Sequence, residues 1–141
     1  MLGVQDEVMD RILGAESIAV VGASRNPEKY GYIAYKAIKA AGKTVYPVNP
    51  TAINVDGDAC YASLQALPAT PSAVVFVVPP EATAAGLEDC ANLGIVNVWL
   101  QPGAEPDNAA EIFDRLGLNG VFGGPCIMVA LKTRPYRLAG R

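Results

Sequence analysis

The sequence contains no histidine among its 141 residues. That absence removes imidazole acid–base catalysis, Ser–His and Cys–His nucleophile pairs, phosphohistidine chemistry and the usual histidine-bearing zinc sites. Charge is sparse: 18% of residues are charged, the formal net charge is −3, and Lys and Arg never form a run. The basic footprint of a nucleic-acid partner is therefore missing. Apolar runs such as residues 73–80 fall far short of the ~20 residues a membrane span requires. The three cysteines, Cys60, Cys90 and Cys126, are widely spaced and lack a CxxC pair, which suits free thiols in a reducing cytoplasm. Residues 1–11 mix Asp6, Glu7 and Asp10 with apolar side chains and do not read as a signal peptide.

What is present is a chain 51% hydrophobic, long enough to bury roughly 68–70% of its unfolded surface around one core. Residues 1–141 read as a single domain. Short β-branched runs at residues 17–21, 44–48, 73–78, 96–100 and 120–122 alternate with helical segments. The run Ala-Val-Val-Phe-Val-Val from Ala73 is apolar at every position, as expected of a strand covered on both faces. Helices are expected over residues 6–13, 30–41, 81–93 and 107–116, with a short one over 61–66. Strands separated by helices of this length imply βαβ units and a parallel sheet. The expectation is an α/β, doubly wound, five-stranded parallel sheet of order 3-2-1-4-5 with helices on both faces. Ligands of such sheets sit beyond the carboxyl ends of the strands, at the point where the order reverses. That expectation points to the segments after the first and fourth strands.

The most informative stretch follows the first strand: Val20-Val21-Gly22-Ala23-Ser24-Arg25-Asn26-Pro27-Glu28-Lys29-Tyr30-Gly31. It leaves a strand and opens a helix, the context of a phosphate-binding turn. Gly22 permits the tight turn, Ser24 offers a hydroxyl, and Arg25 and Lys29 offer cations. The spacing is not GxGxxG, because Ser24 stands at the second glycine. The second strand ends Val48-Asn49-Pro50, without the carboxylate that would accept hydrogen bonds from the ribose of NAD. A site without that carboxylate tolerates a phosphate beside the ribose.

Taken in order, IAVVGASRNPEKYG, VYPVNP, VVFVVPPE and VWLQPGAE, covering about residues 18–128, resemble the CoA-binding domain family. These are small Rossmann-like domains, found alone and as the CoA-binding part of the succinyl-CoA synthetase α-subunit and related ligases. The resemblance implies coenzyme A, or an acyl-CoA, as ligand. Gly22, Ala23, Ser24 and Arg25 would cradle its phosphates, with Lys29 as a further cation. Tyr30, at the mouth of the candidate site, reads either as flanking the nucleotide or as plain surface packing. Val48, Asn49 and Pro50 would border the adenosine, Val78, Pro79 and Pro80 would form the opposite wall, and Gln101 would lie near the pantetheine path. Where ligase relatives often carry a lysine after VNP, this chain has Thr51-Ala52.

Cys126, after a Gly-Gly-Pro turn, reads either as a thiol near the pantetheine sulfur or as a small core residue; Cys60 and Cys90 read as structural. Glu81, Glu105 and Asp107 stand at strand-to-helix junctions near the expected cleft, where the dipole of a helix start alone favours carboxylates, and Trp99 reads as core. The basic segment 132–141 reads either as an arm over the cleft or as a frayed end. The expectation is a cytoplasmic CoA-binding module without catalytic or metal-ligating residues, free to self-associate or to act with a partner protein. A nicotinamide-dinucleotide oxidoreductase or redox sensor is the alternative, with a thiol enzyme built on Cys126 a third.

Overall fold

A computed structural model describes residues 3–134. Helix α1 (Gly3–Leu13) leads into strand β1 (Ser17–Val21), followed by α2 (Tyr30–Ala40) and β2 (Thr44–Val48). A two-stranded hairpin, β3 (Asn54–Val55) and β4 (Asp58–Ala59), and a 3-10 turn at Leu64–Ala66 precede β5 (Ala73–Phe76). The chain continues as α3 (Pro80–Asn92), β6 (Asn97–Leu100), α4 (Ala109–Leu116), β7 (Asn119–Val121) and α5 (Ile127–Thr133). The main sheet is five-stranded, parallel throughout, in the order β2-β1-β5-β6-β7.

The α/β, doubly wound class is the one the strand–helix alternation implies. The strand order differs. Counting the five main strands in chain order it is 2-1-3-4-5, not 3-2-1-4-5. Two local facts account for the correction. All four residues of β5 are fully buried, which demands neighbours on both edges as well as cover on both faces. β2 carries Pro47, which cannot donate to a ladder and so belongs on an edge strand. The point where strand order reverses therefore lies between β1 and β5, and the crevice opens between the loops that follow those two strands.

Alternation along each central strand divides the core. Ile18, Val20, Val75 and Trp99 face one layer, with Ile12 and Leu13 of α1, Tyr35 and Ile38 of α2 and Ile127 of α5. Ala19, Val74, Phe76, Val98 and Leu100 face the other, with Leu87 of α3 and Ile112 and Phe113 of α4. Trp99 is core, as its sequence context implies, and its indole N–H donates to the Pro125 carbonyl at 3.1 Å. Arg134, the last described residue, spends its guanidinium on Asp6 at 2.9 Å and Asp10 at 2.8 Å, closing α5 onto α1. Arg137 and Arg141 of the expected basic arm lie outside the described residues.

Two elements were not expected from periodicity. One is α5; the other is the hairpin, which turns on Asp56 and Gly57, both at positive φ. The hairpin is tied under α2 by charge and hydroxyl contacts. Lys39 Nζ reaches Asp56 at 3.1 Å and Asp58 at 2.7 Å, and Lys36 Nζ reaches Asp56 at 3.2 Å. The Tyr35 hydroxyl donates to Asp58, and the Tyr32 hydroxyl to Asp56 at 3.3 Å. Burial first, then the Asp58 contact, pushes the Tyr35 hydroxyl well above the usual phenol range. Asp56 and Asp58 lie below the ordinary carboxylate range, chiefly because Lys39 donates to each. Carboxylates held down in the folded state stabilise it above the unfolded pKa of ~3.9, and that stabilisation is lost as pH falls through the folded value. Exposed ion pairs contribute little individually, so Lys39→Met should lower Tm slightly at neutral pH. The gap from the parent should close in acid below the carboxylate range; a gap that persists there would assign the effect to packing.

Candidate functional site

Two glycines bring the end of β1 and the start of α2 together. Gly22 has φ +101°, and a Cβ on it would lie 2.3 Å from the Val77 carbonyl oxygen. A Cβ on Gly31, in the first turn of α2, would lie 1.9 Å from the Gly22 carbonyl oxygen. The spacing departs from the dinucleotide fingerprint, yet these residues perform two of its functions, the tight turn and the close helix–strand approach. The loop between them holds itself. Ser24 Oγ accepts from the Asn26 N–H at 3.1 Å, and Asn26 Oδ1 accepts from the Glu28 N–H at 3.0 Å. Lys29 is the N-cap of α2; no side chain caps the helix and no acidic residue stands in its first turn. The partial positive charge of that helix end is therefore not offset by the helix's own residues.

A cleft of about 670 Å³ opens here, floored by Gly22, Val77 and Gly31 and bordered by Ser24, Lys29, Tyr30, Val78, Pro79, Pro80 and the loop Pro102-Gly103-Ala104. A second cavity of about 300 Å³ adjoins it, sharing Tyr30, Val77 and Pro102 and adding Gln101, Cys126 and Met128. Gln101 is buried at the end of β6; its Oε1 accepts from the Ile127 N–H at 2.7 Å, and its Nε2 donates to Cys126 Sγ at 3.4 Å. Glu105 does not start a helix, since α4 begins only at Ala109. Its carboxylate joins two loops, accepting from the Gly103 N–H at 2.8 Å and the Gly123 N–H at 3.2 Å. Glu81 does stand in the first turn of α3, as the helix dipole favours, while Asp107 is exposed ahead of α4.

Of the residues expected at the site, Gly22, Ser24, Lys29, Tyr30, Val78, Pro79 and Pro80 meet in the larger cleft, and Gln101 and Cys126 meet in the smaller cavity. The others do not line either space. Ala23 and Val48 are buried in the core, and Arg25 and Pro50 are exposed nearby. Asn49 acts as a clamp: its Nδ2 donates one hydrogen to the Ala23 carbonyl at 2.8 Å, and its Oδ1 accepts from Thr51 N–H and Oγ1 at 2.8 and 2.9 Å. It ties the β2 tip to the β1 loop. Sequence reading missed Gly31, Val77, Pro102, Gly103, Ala104 and Met128. The first five sit in motifs already singled out, one or a few residues from the positions chosen; Met128 lies on α5, which carried no periodic signal.

Comparison with known proteins decides what this architecture belongs to. Residues 16–132 match the model of the CoA binding domain. The chain belongs to the CoA-binding domain family. Within the family, it is 34% identical over 92 residues to the α-subunit of an ADP-forming acetate–CoA ligase II from Pyrococcus furiosus, covering 64% of this chain and 20% of that one. The chain spans no more than a fifth of the length of such curated ligase relatives. Among solved structures, a hypothetical protein from Pyrococcus horikoshii matches with a TM-score of 0.83 at 30% identity, over 91% of this chain and 89% of the other. A conserved hypothetical protein from Pyrococcus furiosus matches with a TM-score of 0.76 at 39% identity, over 81% of this chain and 97% of the other. No helix among the described residues is long and apolar enough to cross a membrane.

Two measurements check the geometry of this CoA-binding domain. Gly31→Ala would gain up to ~1 kcal/mol of helix propensity, but crowding a backbone oxygen costs on the order of 1–3 kcal/mol. The steric term should win, and the urea midpoint should fall; a raised midpoint would contradict the close approach. Burial pushes the Cys90 thiol up to about 12 and raises Cys60 as well, whereas Cys126 stands on a cavity wall. Iodoacetamide at pH 8 should therefore modify Cys126 first and leave Cys90 intact, as read by peptide mass spectrometry.

Proposed function

We propose that this domain binds coenzyme A or an acyl-CoA across the carboxyl ends of β1, β5 and β6, as a module without chemistry of its own. The observation that carries the reading is the cleft itself: an uncapped helix start with Lys29 beside it, opening towards an uncharged second cavity. A helix N-terminus with free N–H groups and a neighbouring cation suits a pyrophosphate. Arg25, exposed beside that loop, supplies a second cation within the same segment. The β2 tip carries the neutral Asn49 amide where an NAD site would present a carboxylate, so an additional phosphate at the ribose meets no like charge. Val78, Pro79 and Pro80 provide an apolar wall for the adenine or the pantetheine arm. Past Tyr30 the smaller cavity receives the far end of the arm, placing its sulfur towards Gln101 and Cys126. Membership of the CoA-binding domain family and likeness to part of an acetate–CoA ligase α-subunit support the same ligand. Nothing in the site favours the nicotinamide alternative.

Because the chain carries a formal charge of −3, attraction for an anionic ligand must come from the local helix end and its cations rather than from the overall field. Ligand-induced stabilisation tests the reading. CoA at 100 times its dissociation constant should add about 2.7 kcal/mol of stability and raise Tm accordingly, with NAD, NADP and ATP giving smaller shifts; a larger shift with NAD than with CoA would overturn it. Arg25→Ala should weaken CoA more than adenosine in calorimetric titration, since only a phosphate contact is removed. Equal losses would take Arg25 out of the phosphate site.

A further inference from the structure

The smaller cavity is chemically unlike the cleft beside it. Its walls are Tyr30, Val77, Gln101, Pro102, Cys126 and Met128. None of the six is cationic, and Lys29, which lines the neighbouring cleft, is not among them. Among the described residues Gln101 brings the one side-chain amide to this wall, and it is 5% exposed. Its Oε1 is committed to the Ile127 N–H and one Nε2 hydrogen to Cys126 Sγ. That leaves one amide N–H, enough for a neutral carbonyl oxygen. A carboxylate brought here would lose its hydration and meet no cation on these walls, only the neutral donors of Gln101, Tyr30 and Cys126, which recover little of it.

Volume sets a second limit. An apolar cavity of about 150 Å³ accommodates benzene, so on that scale each carbon takes about 25 Å³. The cavity holds about 300 Å³, room for a thioester carrying an acyl chain of a few carbons. A dodecanoyl chain alone would need about 300 Å³ on the same scale, with no space left for the thioester. The sulfur and thioether groups of Cys126 and Met128 add soft, polarisable walls that pack well against short aliphatic groups.

We infer that this cavity is an acyl-selecting subsite, taking a short uncharged aliphatic acyl group and rejecting carboxylated and long-chain ones. The inference rests on the CoA reading of the main cleft. Its test is calorimetric titration of the full chain with CoA, butyryl-CoA, succinyl-CoA and dodecanoyl-CoA. Butyryl-CoA should bind at least as tightly as CoA to within about threefold, and succinyl-CoA and dodecanoyl-CoA should each bind about tenfold or more weaker than butyryl-CoA. Met128→Lys, which sets a cation on the wall, should narrow or reverse the butyryl-over-succinyl preference, read as the ratio of the two affinities in the same variant. Succinyl-CoA binding on a par with butyryl-CoA would overturn the inference while leaving the CoA reading intact. So would acyl species that all bind far more weakly than CoA. Failure of CoA and every thioester to bind would remove the CoA reading and the subsite together. If the Met128 variant does not fold, the ligand series on the unmodified chain decides the matter alone.

Discussion

The start of α2 lies directly on the carbonyl oxygen that ends β1, and most of the functional end of this protein depends on that contact. Only glycine at position 31 allows it, because any Cβ there would sit within bonding distance of the Gly22 oxygen. With the helix pressed so close, its first residues, Tyr30 and Gly31, line the cleft beside Val77 and Val78. The same contact carries Lys29 to the rim and sets Tyr30 between the two cavities. Moving the helix outward would disperse all three together. Gly22 contributes the other half, turning the chain at positive φ where its own Cβ would strike the backbone of Val77.

Around that contact the loops are fixed by polar side chains that need never touch a ligand. Asn49 binds the β1 loop to the β2 tip, Glu105 binds the β6 loop to the β7 loop, and Gln101 binds the β6 tip to the start of α5. Each takes up backbone groups of the loops and helix start that follow the strands. The result is a pocket whose walls are organised before anything enters, which reduces the ordering cost of binding. Electrostatics is equally local. In a protein of net negative charge, a helix terminus and one or two cations act over a few ångströms, a range at which salt screening is incomplete.

Much of this was legible in the residues. The helix-and-strand alternation, the doubly wound class and the turn after β1 followed from periodicity and from the Gly22–Gly31 segment. The resemblance of four strand-end motifs to CoA-binding domains agreed with the family the chain belongs to. The hairpin was also readable, since Asp-Gly at residues 56–57 is a strong hairpin signal; its strands, two residues each, were too short for period-two alternation to register. Pro47 marked β2 as an edge strand, and reading it that way would have corrected the strand order. Helix α5 is only seven residues long, too short for a helical period to stand out.

The linear chain settled the covalent and conformational vocabulary: no imidazole, few charges, glycines where the backbone must turn, and no carboxylate at the β2 tip. These are properties of single residues or short spans, so they survive without a fold. Which residues share a cavity was decided by packing between segments far apart in sequence. Asn49, expected beside the adenosine, also clamps the β1 loop, Glu105 bridges two loops ahead of α4, and Met128 meets Tyr30 across nearly a hundred positions. Their partners are chosen by strand order and helix placement, which no local pattern encodes.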